Sequence, residues 1–167
     1  MPADDPPRAF RWQRSPEATA LFNAALTSEL IVTSCHWRQA SAGGAMAWTE
    51  AFLVLPIALH AETRRSLPAQ ARVTLSRWAT QNPAIVGELA SRVDFMSEQT
   101  RRAIRFGLRG QRLELRGATI YATGSPRSPT AAWPEEVTAA SRAAKLYGRW
   151  LASIETHELV EILGIGV

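Results

Sequence analysis

Hydrophobic residues recur at steps of three and four along most of the chain, which is the spacing of one face of an α-helix. The pattern predicts a first helix from about Pro16 to Thr33 and a second over residues 49–62 that is apolar nearly all round. We expect Pro56 to kink the second helix. A long amphipathic helix is predicted from Pro134 to about Ser153, so helices account for most of the fold.

Capping signals divide the middle of the chain into shorter helices. A helix is predicted over residues 74–80, and Asn82-Pro83 provides the cap and first position of the next one. Ser97 is expected to begin a further helix that Gly110 closes. Residues 159–163 suggest one last short helix or strand.

Polar and apolar residues alternate between positions 112 and 123, in place of the helical spacing. Leu113 and Leu115 are flanked by charged residues, Gly117 marks a turn, and residues 119–123 supply a return strand. The sequence therefore predicts a mainly α fold with one small β-hairpin, in a helical architecture for which a winged-helix-like arrangement is one alternative.

The length and composition favour one domain preceded by an arm. Residues 1–14 are rich in Pro, Asp and Arg and predict a flexible N-terminal arm, while residues 15–167 predict a single helical domain with its hairpin near 112–123. Cys35 is the single cysteine, which excludes an internal disulfide. Because the chain has no long apolar stretch and its N-terminus does not resemble a signal peptide, we expect a cytoplasmic protein without a membrane contact.

The motifs that would indicate catalysis are incomplete. His157-Glu158 begins like a zinc protease helix, but Glu161 stands where the second histidine is required. His60-Ala61-Glu62 begins like a zinc deaminase motif, yet no Pro-Cys-x-x-Cys follows. Phosphate-binding glycine loops are also missing. We therefore expect no catalytic site, no cofactor, no metal site and no small-molecule substrate.

Arginine dominates the charge of the chain, which is +4 at pH 7 and includes nineteen basic residues, of which only Lys145 is a lysine. Six arginines fall within sixteen residues of the predicted helix and hairpin: Arg101, Arg102, Arg105, Arg109, Arg112 and Arg116. A helix followed by a hairpin is also the order of a winged helix, so this stretch is a candidate for sequence-independent contact with DNA phosphates. The alternative is a solvated face that pairs with acidic residues of this chain or of a partner.

Six tryptophans are many for a chain of this length. We expect Trp78 and Trp150 to be packed in the core, and Trp12, Trp37 and Trp133 to be candidates for an interface, where Trp and Arg often anchor binding.

Several segments, in order and spacing, resemble the middle component of bacterial three-component ABC-ATPase systems. They are Leu21-Phe22-Asn23-Ala24-Ala25, Leu53-Val54-Leu55-Pro56-Ile57-Ala58-Leu59-His60, Thr63-Arg64-Arg65-Ser66-Leu67-Pro68, Leu75 with Trp78, Asn82-Pro83, and Leu146-Tyr147-Gly148-Arg149-Trp150. The resemblance covers about residues 20–165.

This resemblance implies an accessory subunit of Lamassu-type defence systems, placed between an SMC-like ABC ATPase and an effector such as a nuclease. It implies no catalytic residues, and DNA would be reached through the complex. His60, Thr63 and Arg64 are the polar members of the family's central motif, with either a structural role or a partner contact; His60 is expected to cap the carbonyls of the preceding helix. A free-standing DNA-binding protein stays open as the alternative.

Overall fold

The computed structural model describes residues 23–42, 44–69 and 72–164. Trp12, the predicted arm over residues 1–14 and the predicted start of the first helix lie outside the described residues, so the division into arm and domain stays a prediction.

The described residues contain eight α-helices and three short strands, and the predicted fold class, mainly α with a small hairpin, is confirmed. The helices are α1 (Ala24–Ala42), α2 (Val54–Leu59), α3 (Ala61–Ser66), α4 (Leu75–Gln81), α5 (Pro83–Gly87), α6 (Leu89–Arg109), α7 (Glu135–Leu151) and α8 (Thr156–Leu163). The strands are β1 (Met46–Ala47), β2 (Leu113–Arg116) and β3 (Thr119–Ala122), which form an antiparallel sheet in the order β1-β3-β2. Within the described residues, no helix is long and apolar enough to span a bilayer.

The core forms around α1, which packs against α6 and α7. The prediction that the first helix ends near Thr33 is wrong, because α1 continues to Ala42. Cys35 is fully buried beyond the predicted end, and the Ser34 hydroxyl donates to the carbonyl oxygen of Ala144, 2.8 Å away on α7. These tertiary contacts stabilise a helical end that the local sequence does not indicate.

The segment predicted as one kinked helix over 49–62 is divided into three elements. A 3-10 helix (Glu50–Leu53) leads into α2, and His60 then takes an extended backbone before α3. Pro56 does not kink the segment, because it lies in the first turn of α2, where a missing N–H is tolerated. The full burial of α2 agrees with its apolar sequence.

Ser97 does not start a helix. α6 runs through it without interruption, since the buried residues Met96, Thr100, Ala103 and Gly107 continue one stripe on either side. The hairpin of β2 and β3 follows directly, as predicted, with Gly117 in the turn at a φ of 57°. Its partner β1 was not predicted; Met46 pairs with Ile120 and completes the sheet.

A carboxylate is buried where several elements meet. Glu50 is 1% exposed, and its side chain accepts hydrogen bonds from the Ala47 amide at 2.9 Å and the Thr156 hydroxyl at 2.8 Å. An Arg38 guanidinium nitrogen lies 3.7 Å from the same carboxylate, and the Tyr147 hydroxyl donates to the Glu50 carbonyl oxygen at 3.0 Å. The cluster therefore connects α1, β1, α7 and α8 through polar contacts.

Candidate interaction surfaces

The central motif forms a compact polar junction at the start of α3. His60 accepts a hydrogen bond at Nδ1 from the Thr63 amide, 3.2 Å away, and so caps the N-terminus of α3. Thr63 is fully buried, and its hydroxyl also accepts from an Arg92 nitrogen at 3.0 Å. Burial, and next the positive charge of Arg92, lower the pKa of His60. The neutral imidazole is the form that can accept this capping bond.

Arg64, and not His60 as predicted, caps the carbonyl groups at the end of α2. Its guanidinium donates to the carbonyl oxygens of Ala58 at 3.1 Å and Leu59 at 2.7 Å, at the end of α2, and it forms an ion pair with Glu136 of α7. Its side chain is only 8% exposed. The expectation that His60 caps those carbonyls is therefore wrong. A partner contact at His60, Thr63 or Arg64 stays a prediction, while each of them has a defined structural role.

The arginines of α6 form an exposed basic face around one carboxylate. Arg101, Arg102 and Arg105 lie 3.9, 3.3 and 3.7 Å from the carboxylate oxygens of Glu98, and all three side chains are more than half exposed. Arg109 is exposed one turn further along and has no ion pair within the described residues. Because one carboxylate serves three guanidinium groups, this α6 arginine face keeps an excess of positive charge.

The remaining two arginines of the predicted stretch, Arg112 and Arg116, each pair with a carboxylate of this chain. Arg112 turns inward and donates to Glu29 of α1 at 2.9 Å and to the Ser125 carbonyl oxygen at 3.0 Å. Arg116 makes two hydrogen bonds of 2.8 Å to Glu114, which lower the pKa of that carboxyl. The six arginines are therefore not one continuous face: within the described residues, the excess positive charge lies on the four arginines of α6, three of which share the single carboxylate of Glu98.

The tryptophans divide into core and surface groups. Trp78 and Trp150 are 1% and 2% exposed with ring centroids 5.6 Å apart, so the prediction that they are packed is confirmed. Trp37 is half-buried beneath the Lys145 ammonium, 3.9 Å from the ring centroid, and Trp133 is half-buried ahead of α7. Their role in an interface stays a prediction.

Sequence reasoning missed Trp48, whose side chain is 45% exposed. Its ring packs edge-on against Phe52, with centroids 5.6 Å apart, and the Arg101 guanidinium lies 5.7 Å from the Phe52 ring centroid. We call Trp48, Phe52 and Arg101 the Trp48 patch. The sequence did contain a signal, because Trp48 stands at the polar edge of the apolar segment. The patch joins the α6 arginine face to exposed aromatic surface of the kind that anchors interfaces.

A second basic surface lies on α7 and was also missed. A groove of about 430 Å³ runs between α7 and the segment 67–69, and it is bordered by Arg142, Lys145 and Arg149. These residues are spaced at i, i+3 and i+7, which places them on one helix face. The spacing indicates the basic helix face in the sequence. It does not indicate the groove, because the other wall comes from a distant part of the chain.

Two features that could support catalysis are a metal site and the Cys35 thiol. Within the described residues, no three His, Cys, Asp or Glu side chains come close enough to hold a metal ion. Burial raises the pKa of the Cys35 thiol to about 12, so this thiol stays protonated at neutral pH and is a poor nucleophile.

Comparison with known proteins gives one family. The family model described as "ABC-three component (ABC-3C) system Middle Component 3" matches residues 12–167. No curated protein and no solved structure shows significant similarity to the chain.

Proposed function

Because the chain belongs to the Middle Component 3 family of ABC-three component systems, we propose that it is a non-catalytic adaptor subunit that bridges the ABC ATPase and the effector of such a system. In the finer form of this proposal the ATPase is SMC-like, the effector is an enzyme such as a nuclease, and the system is a Lamassu-type defence against phages or plasmids. The observation that carries the proposal is the family match, which extends over residues 12–167.

The two basic surfaces fit an adaptor that meets more than one partner. α6 packs near the beginning of α1, where Gln99 donates to the Thr27 hydroxyl at 3.3 Å. α7 packs further along α1, at Ser34 and Arg38. The α6 arginine face and the α7 groove are therefore carried by separate helices that pack against different parts of one central helix, so each can take its own partner.

The Trp48 patch together with the α6 arginine face is our candidate for the first partner contact. Exposed Trp and Arg contribute disproportionately to binding energy, and carboxylates of a partner pair well with guanidinium groups that Glu98 only partly neutralises. We expect Trp48→Ala combined with Arg101→Glu to weaken one subunit contact without unfolding the chain, since both side chains are exposed.

A pull-down with the ATPase and effector subunits of the same system tests the proposal. The tagged chain is co-expressed with both and purified with and without DNase, and the Trp48→Ala/Arg101→Glu variant is compared with Arg77→Glu, which alters an exposed residue away from the patch. Recovery of both subunits regardless of DNase, with one of them lost in the double variant, is the expected result. Recovery of only DNA-dependent partners would reject the adaptor role.

One observation favours direct DNA binding as a second candidate function. A hairpin follows α6 directly, and α6 exposes four arginines. Contacts of this kind would be to phosphates, so the affinity for a DNA duplex should fall steeply with salt and the slope should decrease by roughly one for each phosphate contact removed. Fluorescence anisotropy of a labelled duplex with the wild type and with Arg105→Ala/Arg109→Ala measures this slope; an unchanged slope in the variant would exclude α6 as the contact.

A further inference from the structure

The α7 groove combines two kinds of surface that fit one class of ligand. Its rim carries Arg142, Lys145 and Arg149, whereas its floor is apolar and includes Leu67, Pro68 and Leu146. No acidic side chain lines the groove in the part of the chain that the structure describes. Positive charge above an apolar floor matches a ligand that has carboxylates beside hydrophobic side chains.

The cationic residues at the rim differ in whether their side chains already have partners within the chain. Arg142 and Arg149 are exposed, and neither has an ion pair within the described residues. Lys145 also lines the groove, and its ammonium lies above the Trp37 ring, 3.9 Å from the ring centroid. Arg64, at the end of the groove, is already paired with Glu136 and with two carbonyls. Within the described residues, a ligand would therefore displace no ion pair at Arg142 or Arg149, and Lys145 adds a third positive charge to the lining.

We propose that this groove binds an acidic amphipathic helix or strand of a partner subunit, with carboxylates on the rim and apolar side chains on the floor. The inference rests on the proposed adaptor function for the source of that segment. Arg142 and Arg149 are seven residues apart, which is about 10.5 Å along the helix axis, and acidic residues two turns apart on a partner helix have the same spacing. Arginine pairs with carboxylates in a bidentate manner, which fixes the orientation of the segment.

The apolar floor distinguishes this ligand from nucleic acid. A phosphate backbone presents charge but little hydrophobic surface, so Leu67, Pro68 and Leu146 would stay uncovered against it. An acidic amphipathic peptide covers the floor and neutralises the rim together. The α6 arginine face, by contrast, is convex helix surface, so the two basic regions differ in the ligand that they favour.

Binding of a defined probe to the full chain tests the inference. The probe is a fluorescein-labelled peptide of about four helical turns with Glu and Leu at amphipathic spacing, and a labelled DNA duplex is measured in parallel. Arg142→Glu/Arg149→Glu is compared with Arg77→Glu/Arg127→Glu, which makes the same charge change at exposed positions outside the groove. We expect the groove variant to lose peptide affinity by about tenfold or more and the control variant to keep it. A Leu67→Ser variant should also bind the peptide more weakly, because the floor contributes.

Each other outcome overturns the inference in a recognisable way. Equal losses in both double variants would show binding to net charge alone, and tighter binding of the duplex with loss only in the groove variant would assign the groove to nucleic acid. Self-association that the groove variant abolishes, measured by light scattering, would assign it to a second copy of the chain.

The pull-down separates this inference from the adaptor function: peptide binding without recovery of the other subunits rejects the adaptor alone, and full recovery with the groove variant rejects the groove alone.

Discussion

Gly148 of α7 lies directly against the backbone of Ser34 on α1. A Cβ added at Gly148 would overlap the Ser34 carbonyl oxygen and lie 3.0 Å from the Ser34 Cα. The two helices can approach this closely, and the Ser34 hydroxyl can reach the Ala144 carbonyl, only because the side chain at 148 is a hydrogen.

Gly148→Ala is expected to destabilise the fold by about 3 kcal/mol, because the added methyl group meets backbone, which cannot rotate away. Urea unfolding followed by tryptophan fluorescence measures the change. Gly87→Ala is the control, since nothing lies within 4 Å of a Cβ there and alanine favours a helix by about 1 kcal/mol. Similar midpoints for the two variants would contradict the close packing of α1 and α7.

Glu50→Gln is expected to cost about 3 kcal/mol of stability. The substitution removes the negative charge beside Arg38 and places an amide NH₂ against donors that now point at carboxylate oxygens. Thr156→Val removes only one of these hydrogen bonds and should cost about 1 kcal/mol. Chemical denaturation of both variants checks the order, and a larger loss for Thr156→Val would mean that the carboxylate is not the centre of the cluster.

Substitutions at Arg112 and Arg109 should differ in their effect on stability, because Arg112 has a structural role and Arg109 lies on the surface. Arg112→Ala is expected to cost about 2 kcal/mol, because it leaves Glu29 of α1 without its guanidinium partner. Arg109→Ala should change stability by less than about 0.5 kcal/mol, since the residue is exposed. Thermal and urea unfolding give both values; equal effects would mean that the pair between Arg112 and Glu29 does not stabilise the fold.

The cap at His60 predicts a dependence of stability on pH. The folded state lowers the pKa of His60, so the stabilising contribution is complete above the ordinary histidine pKa of about 6.5 and is lost as the pH falls through the lower folded pKa. His60→Asn keeps a side chain that caps helices but does not titrate. Unfolding free energies between roughly pH 7.5 and 5 should therefore fall more for the wild type than for His60→Asn, and parallel curves would refute this role of the neutral imidazole.

The fold was predictable where the local pattern agrees with the tertiary contacts. The amphipathic spacing of α7 and the alternation in the hairpin gave both elements within a few residues. Ser97 misled the prediction because a serine in the middle of a helix can have the same sequence neighbours as a capping serine. β1 has only two residues, Met46 and Ala47, and forms through pairing with β3, so no local period could indicate it.

The candidate sites were less predictable, because the partner of a charged side chain is often distant in sequence. Nothing near Arg112 indicates that it pairs with Glu29, and nothing near Arg64 indicates Glu136. The α7 groove needs residues 67–69 as its second wall, and the Trp48 patch needs Arg101 of α6 beside Phe52. The residue types, arginine and tryptophan, were evident from the sequence, but the contacts that each of these side chains makes within the fold were not.

The pairing of α1 with α7 sets an order of events during synthesis. A ribosome makes α7 only after the residues 43–134 that follow α1, so the hydrophobic face of α1 is synthesised well before its main packing partner exists. Over that interval the nascent chain exposes the surface that chaperones recognise. The rate at which the residues between these helices and α7 itself are translated therefore determines how long the central helix stays uncovered, and a partner that recognises the folded α7 groove can bind only once that interval has ended.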